Sequence, residues 1–100
     1  MKSRMMGGNA LEQNKKIAPF VNSEGKITQL PQKSSVRFAV LEVLAQQFEP
    51  ERSYTEREVN DICEASHTFG DYFLIRRELI DYGLLCRKAD GSSYWKAKAE

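Results

Sequence analysis

Cys63, His67 and Cys86 are the side chains with the chemistry to hold a soft metal ion or to build a nucleophile with its base. Structural zinc sites take such ligands in closely spaced pairs that converge on one tetrahedral centre, and these three residues form no pairing of that kind. His67 is the only histidine. It falls at the expected end of a helix, where spacing alone brings no serine or cysteine against it. Carboxylates are plentiful but lie along what read as exposed helix faces, with no pair arranged to give and take a proton across a substrate. Gly7-Gly8 precede neither Lys-Ser nor Lys-Thr and open no strand-to-helix turn of the phosphate-cradling type. The expectation is a non-enzyme, with no catalytic residue, no metal ligands and no cofactor.

What remains is the chemistry of cations and of exposed apolar groups. Arg77, Arg87, Lys88 and Lys96 are the candidates for contact with nucleic-acid phosphates. The adjacent Phe73 and Leu74 are the candidates for contact with a protein partner or a second copy of the chain. The charge distribution restrains the first idea. Net charge is +1, but residues 1–33 hold six basic side chains against two acids, while residues 34–96 hold eight against eleven. The body expected to fold is therefore mildly acidic, whereas a domain that neutralises phosphates draws most of its non-specific affinity from a basic face.

One hundred residues suffice for one domain with a modest core. A chain that is 41% hydrophobic and 29% charged is neither wholly disordered nor collagen-like. No apolar run approaches the roughly eighteen residues needed to span a bilayer. The Met-Lys-Ser-Arg start leads into Gly7, Gly8 and Asn9 without the apolar stretch of a signal peptide. Two cysteines do not make a disulfide scaffold. A cytoplasmic protein with free thiols and no membrane partner is expected.

These groups need elements to position them. Residues 1–19 are expected to form an arm, flexible or partly helical over Ala10–Ile17, and residues 20–100 the folded domain. Phe20-Val21, the turn residues Asn22-Ser23-Glu24-Gly25 and the alternating Lys26–Leu30 predict a strand or loose hairpin closed by Pro31. Ser34 or Ser35 can cap a helix that runs to about Phe48 and stops before Pro50, with Val36, Val40, Val43, Leu44 and Phe48 on its buried stripe. Ser53-Tyr54 form a short extended stretch. Thr55-Glu56-Arg57-Glu58 has the form of a capping box, and Tyr54 and Val59 stand where a hydrophobic staple would set them. A second helix therefore starts at Thr55, turns Val59, Ile62 and Cys63 inward, and ends near His67.

After Thr68-Phe69-Gly70 a third helix begins near Asp71, whose carboxylate suits free amides and the positive end of the helix dipole. It stops at Gly83, with Leu84 reaching back to Leu79 as in a Schellman motif. Leu84–Lys88 and Ser92–Lys96 flank Ala89-Asp90-Gly91, and the Asp-Gly pair predicts a type I′ hairpin turn. The order is strand, helix, short strand, helix, helix, hairpin. This is the order of a winged helix-turn-helix: an α+β, three-helix domain with a C-terminal β-hairpin wing and a short N-terminal strand.

The same residues carry a family pattern. Gly25-Lys26-Ile27 with Leu30-Pro31 and Lys33, Tyr54-Thr55-Glu56 with Glu58-Val59-Asn60, Arg76-Arg77-Glu78-Leu79, Tyr82-Gly83-Leu84-Leu85 with Arg87, and Gly91 with Tyr94-Trp95 resemble a bacterial domain-of-unknown-function family found alone or behind helix-turn-helix regulators. The resemblance covers about residues 20–96. It implies a small winged-helix-like cytoplasmic domain associated with transcription regulation, and it carries no catalytic residues to transfer. Phe73-Leu74 are more apolar than that pattern implies.

A winged helix that reads DNA sets its third helix in the major groove and takes phosphate contacts from nearby cations and the wing. At about 100° per residue, Tyr72, Ile75, Leu79 and Tyr82 share the inward arc, Phe73, Arg76 and Ile80 border it, and Leu74, Arg77 and Asp81 face out. Asp81 would repel a phosphate, so an Arg77–Asp81 pair on a solvated surface is the simpler expectation. Arg76 is expected to pair with Glu58 or Asp61. The second helix sets Glu56, Glu58, Asp61 and Glu64 against Arg57, whereas the wing opposes Arg87, Lys88 and Lys96 with Asp90 alone. Tyr94 and Trp95 must point to opposite faces, so one seals the core and the other is partly exposed. Two functions remain open: a transcription-regulator-associated winged-helix domain that binds DNA as an oligomer, dimerising through residues 1–33 or Phe73-Leu74, and a protein-interaction module on the same scaffold.

Overall fold

Ser34–Ala45, Glu56–Ala65 and Tyr72–Asp81 form the helices α1, α2 and α3 of a computed structural model that describes residues 16–98. Ser53–Tyr54, Leu85–Arg87 and Tyr94–Lys96 form the strands β1, β2 and β3, joined in one antiparallel sheet of order β1-β3-β2. The architecture is a small α+β domain, three helices against a three-stranded sheet. Tyr94 stands opposite Tyr54 on one side and Arg87 on the other, while Trp95 stands opposite Ser53 and Cys86.

The two later helices begin and end as their local signals predict. Thr55 Oγ1 accepts from the Glu58 N–H at 3.1 Å, and Glu58 Oε1 accepts from the Thr55 N–H at 2.9 Å. The staple residues Tyr54 and Val59 are both buried, which fixes the angle at which the chain enters α2. At the start of α3 the Asp71 Oδ1 accepts from the Leu74 N–H at 3.1 Å. Its end is a Schellman motif: the Leu84 N–H donates to the Leu79 carbonyl at 2.9 Å and the Gly83 N–H to the Ile80 carbonyl at 3.0 Å. Gly83 supplies the left-handed residue this needs, at φ 75°.

The first helix departs from expectation at both ends. Neither Ser34 nor Ser35 caps it; Lys33 is the N-cap and its side chain makes no capping bond. The helix starts one position early, so both serines lie within the first turn, past the position from which a hydroxyl reaches the free amides. At the other end the N–H groups of Gln46, Gln47 and Phe48 bond three residues back, to Val43, Leu44 and Ala45. This tightened last turn still delivers Phe48 to the core.

The expected N-terminal strand reduces to single bridges, Val21 with Ile27 and Ile27 with His67. The Asn22 carboxamide oxygen accepts from the N–H groups of Glu24 and Lys26, both at 2.9 Å. A side chain that serves two backbone amides holds a turn rather than a ladder. Ile27 is nevertheless fixed: its N–H donates to the Ser66 carbonyl and its carbonyl accepts from the Thr68 N–H. Ile17, from the segment expected as an arm, is buried with Ile27 in the core. The helix expected over Ala10–Ile17 lies outside the described residues apart from its last two.

The β2–β3 turn also differs. The Lys88 N–H donates to the Ser93 carbonyl and the Gly91 N–H to the Lys88 carbonyl, both at 2.9 Å. Gly91 has φ 76° but Asp90 does not share a positive φ, so the turn is not type I′. Asp90 Oδ1 instead accepts from the Ser92 N–H at 2.9 Å, and this bond shapes a longer loop. That hydrogen bond also lowers the carboxyl pKa of Asp90.

Val40, Leu41, Phe48, Val59, Ile75 and Leu79 form the middle of the core, with Tyr94 wholly buried beneath the sheet. Arg37 crosses from α1 to α3: its Nε donates to Glu78 Oε1 at 2.8 Å and its Nη1 to the Pro31 carbonyl at 3.0 Å. Replacing Arg37 with alanine leaves Glu78 largely shielded and unpaired, so R37A is expected to lower stability by about 1.5–3 kcal/mol in urea unfolding. The exposed Arg77–Asp81 pair, at 3.8 Å, is the contrast, and R77A is expected to change stability by less than about 1 kcal/mol. Equal effects would contradict the load assigned to Arg37. Burial pushes the Cys63 thiol up to about 12, against a smaller opposing pull from Arg76. A C86S protein should therefore stay silent to a thiol reagent while folded and react at Cys63 on addition of guanidinium. Rapid labelling of the folded variant would show that the thiol is accessible.

Candidate nucleic-acid interface

The position of α3 depends on a histidine. His67 is buried at the end of α2. Its Nδ1 donates to the Cys63 carbonyl at 2.7 Å, and its Nε2 accepts from the Asp71 N–H at 2.8 Å. The imidazole packs on Phe69 with ring centroids 4.4 Å apart. Both nitrogens are thus occupied by backbone, one from the last turn of α2 and one from the cap of α3. His67 is a strut between helices. Among the described residues no group of three or more His, Cys, Asp and Glu side chains is placed to hold a metal ion, and no helix is long and apolar enough to cross a membrane.

A groove of about 250 Å³ runs between α3 and β2, lined by Phe73, Arg76, Arg77, Ile80, Asp81 and Arg87. The first five recur at three-and-four spacing and so share one flank of the helix. Arg87 arrives from the sheet. It stands opposite Tyr94, and because directly opposed residues share a face, its side chain leaves β2 on the side that carries Tyr94 toward the helices.

Arg76 is the most enclosed of these cations, with its side chain 13% exposed. Its Nη1 donates to Asn60 Oδ1 and lies 3.5 Å from Glu56 Oε2. The expected partners, Glu58 and Asp61, are not used. Glu58 is taken by the capping box and by Arg52 at 3.7 Å. Glu56 and Asn60, four residues apart, form the face of α2 that meets α3. Glu56 also accepts from the Tyr94 hydroxyl at 3.3 Å, so one carboxylate serves both the sheet and the helix. The guanidinium carbon of Arg76 sits 5.1 Å from the centre of the Phe73 ring.

Among the residues singled out from sequence, Arg77, Arg87 and Phe73 meet in this groove. Lys96 stands opposite Leu85 at the other end of β2, and Lys88 lies beyond the strand on the exposed loop, so neither joins them. Phe73 is 54% exposed while Leu74 is half-buried. Tyr72 was expected inward but is 39% exposed. It is the first residue of α3, and Phe69 packs against the core instead. Arg76, Ile80 and Asp81 were not expected as a lining; their shared spacing with Phe73 and Arg77 was the available signal. With Arg76 paired to Glu56, Arg77 and Arg87 against Asp81 leave the groove one net positive charge on an acidic body. Planar donor forks of this kind suit phosphate or carboxylate oxygens.

A family model described as an uncharacterized protein conserved in bacteria, DUF2087, matches residues 26–96. No curated protein and no solved structure matches the chain. The matched span contains all three helices, all three strands and every residue that lines the groove. On that span the chain belongs to the bacterial DUF2087 family.

Proposed function

We propose that this is a non-enzymatic DNA-binding domain of the winged helix-turn-helix type, associated with transcription regulation. It presents α3 and the β2–β3 wing to duplex DNA as a dimer. The observation that carries this reading is the meeting of Arg87 from the wing with Arg77 from α3 in one groove. The element order α1-β1-α2-α3-β2-β3 and the sheet order β1-β3-β2 support the winged scaffold. The α2–α3 connection, Ser66–Asp71, is longer than the roughly three- or four-residue turn of many helix-turn-helix units. His67 supplies the rigidity that a shorter turn would give.

The exposed flank of α3 offers one arginine, Arg77 at 66% exposure and loosely paired with Asp81, so base edges have few readers. Affinity then rests on phosphates and falls steeply with salt. One copy has a small basic footprint, and a symmetric dimer doubles it. A second reading, a protein-interaction module on the same scaffold, is favoured by Tyr72 and Phe73, which stand exposed side by side at the start of α3.

Retention on non-specific duplex DNA separates the two. At low salt the protein is expected to bind, with affinity falling linearly on a log–log salt plot. The double variant R77A/R87A should flatten that slope by about one to two units, roughly 0.9 for each phosphate contact removed. Absence of retention at low salt, where electrostatic binding is strongest, would overturn the DNA reading and leave the protein-interaction one.

A further inference from the structure

We infer that the α3–β2 groove takes an unpaired nucleotide, its base stacked on Phe73 and its phosphate held by Arg77 and Arg87, so that the domain prefers single-stranded or locally melted DNA to a perfect duplex. This rests on the DNA-binding reading and narrows it. Phe73 is more than half exposed, at 54%, and one face of its ring is backed by the guanidinium of Arg76 at 5.1 Å. That guanidinium is itself anchored, by Asn60 and Glu56, so the ring has a fixed cationic backing and a free surface.

An aromatic face gains little from a base edge in a duplex groove. It gains most from the plane of a base, and that plane is open only where the base is unpaired. The charges match in position. Arg77 and Arg87 line the same groove as Phe73, and Arg77 is held only loosely by Asp81 at 3.8 Å with both side chains exposed. A phosphate between two arginines is a stronger partner than that exposed carboxylate. Ile80 adds an apolar wall, and a groove of about 250 Å³ is on the scale of one nucleotide rather than a base pair.

The test uses the full chain and fluorescein-labelled oligonucleotides of roughly fifteen nucleotides. Anisotropy titrations at one low salt concentration compare a single strand, the matching duplex, and that duplex with a short central unpaired loop. The single strand and the looped duplex are expected to bind about tenfold tighter than the perfect duplex. Both F73A and F73L should lower single-strand affinity about tenfold, and F73W should restore it, because stacking needs the ring and not merely an apolar group. Urea unfolding of F73A checks that the exposed site leaves the fold intact. A perfect duplex bound as tightly as the single strand, or F73A and F73L that bind the single strand like the parent, overturns the inference while the DNA-binding reading stands. Loss of binding to all three probes removes both.

Discussion

Where α2 ends and α3 begins, one buried imidazole lies between a carbonyl at the close of one helix and a part-buried amide at the opening of the next. The Cys63 carbonyl also accepts from the Ser66 N–H at 3.2 Å, and a carbonyl has lone pairs for both donors. The imidazole of His67 satisfies the Cys63 carbonyl with one nitrogen and the Asp71 amide with the other. Ile27, bonded to Ser66 and Thr68 on either side of His67, clamps the same connection from the N-terminal turn. These bonds, with the packing of Val59 and Cys63 in one core with Ile75 and Leu79, hold α3 against α2. The line along which Phe73, Arg76 and Arg77 meet the sheet follows from the same bonds and packing.

That placement explains how a positive trough exists on an acidic body. Glu56 stands in the first turn of α2, and its two oxygens are divided between the Tyr94 hydroxyl and Arg76. Arg76 is thereby neutralised and held still beneath Phe73. Arg77 and Arg87, farther out, remain available to solvent and to anions. A short-range arrangement of this kind outweighs the domain's net charge for any ligand small enough to sit within it, since exposed charges more than a Debye length apart, about 8 Å at physiological salt, are largely screened.

Cys63 and His67, which have the richest chemistry on paper, are built into the core and the α2–α3 connection. Cys63 lies wholly inside the core with its thiol pushed far from ionisation by burial, and its carbonyl is a hydrogen-bond acceptor for His67. Cys86 lies on β2 opposite Trp95, on the sheet face away from Tyr94. The groups suited to ligand binding are instead guanidiniums and one aromatic ring on a helix flank.

The local signals were legible in the sequence. The capping box at Thr55, the Asp71 cap and the Schellman end at Gly83 each close hydrogen bonds within five residues, so the side chains that make them are fixed by spacing alone. The order of elements was legible for the same reason. The failures are of two kinds. At α1 the helix starts one position early with Lys33 as N-cap, and at the Asp90-Gly91 turn a different local bond, from the Ser92 amide to the Asp90 carboxylate, shapes a longer loop. Elsewhere the sequence held no answer. Whether Tyr94 or Trp95 is buried, which acid Arg76 meets, and that Arg87 shares a groove with Phe73 depend on strand register and on the packing of helix against sheet. Those contacts join residues far apart in the chain, and their cost in chain entropy is offset only when the whole core forms at once.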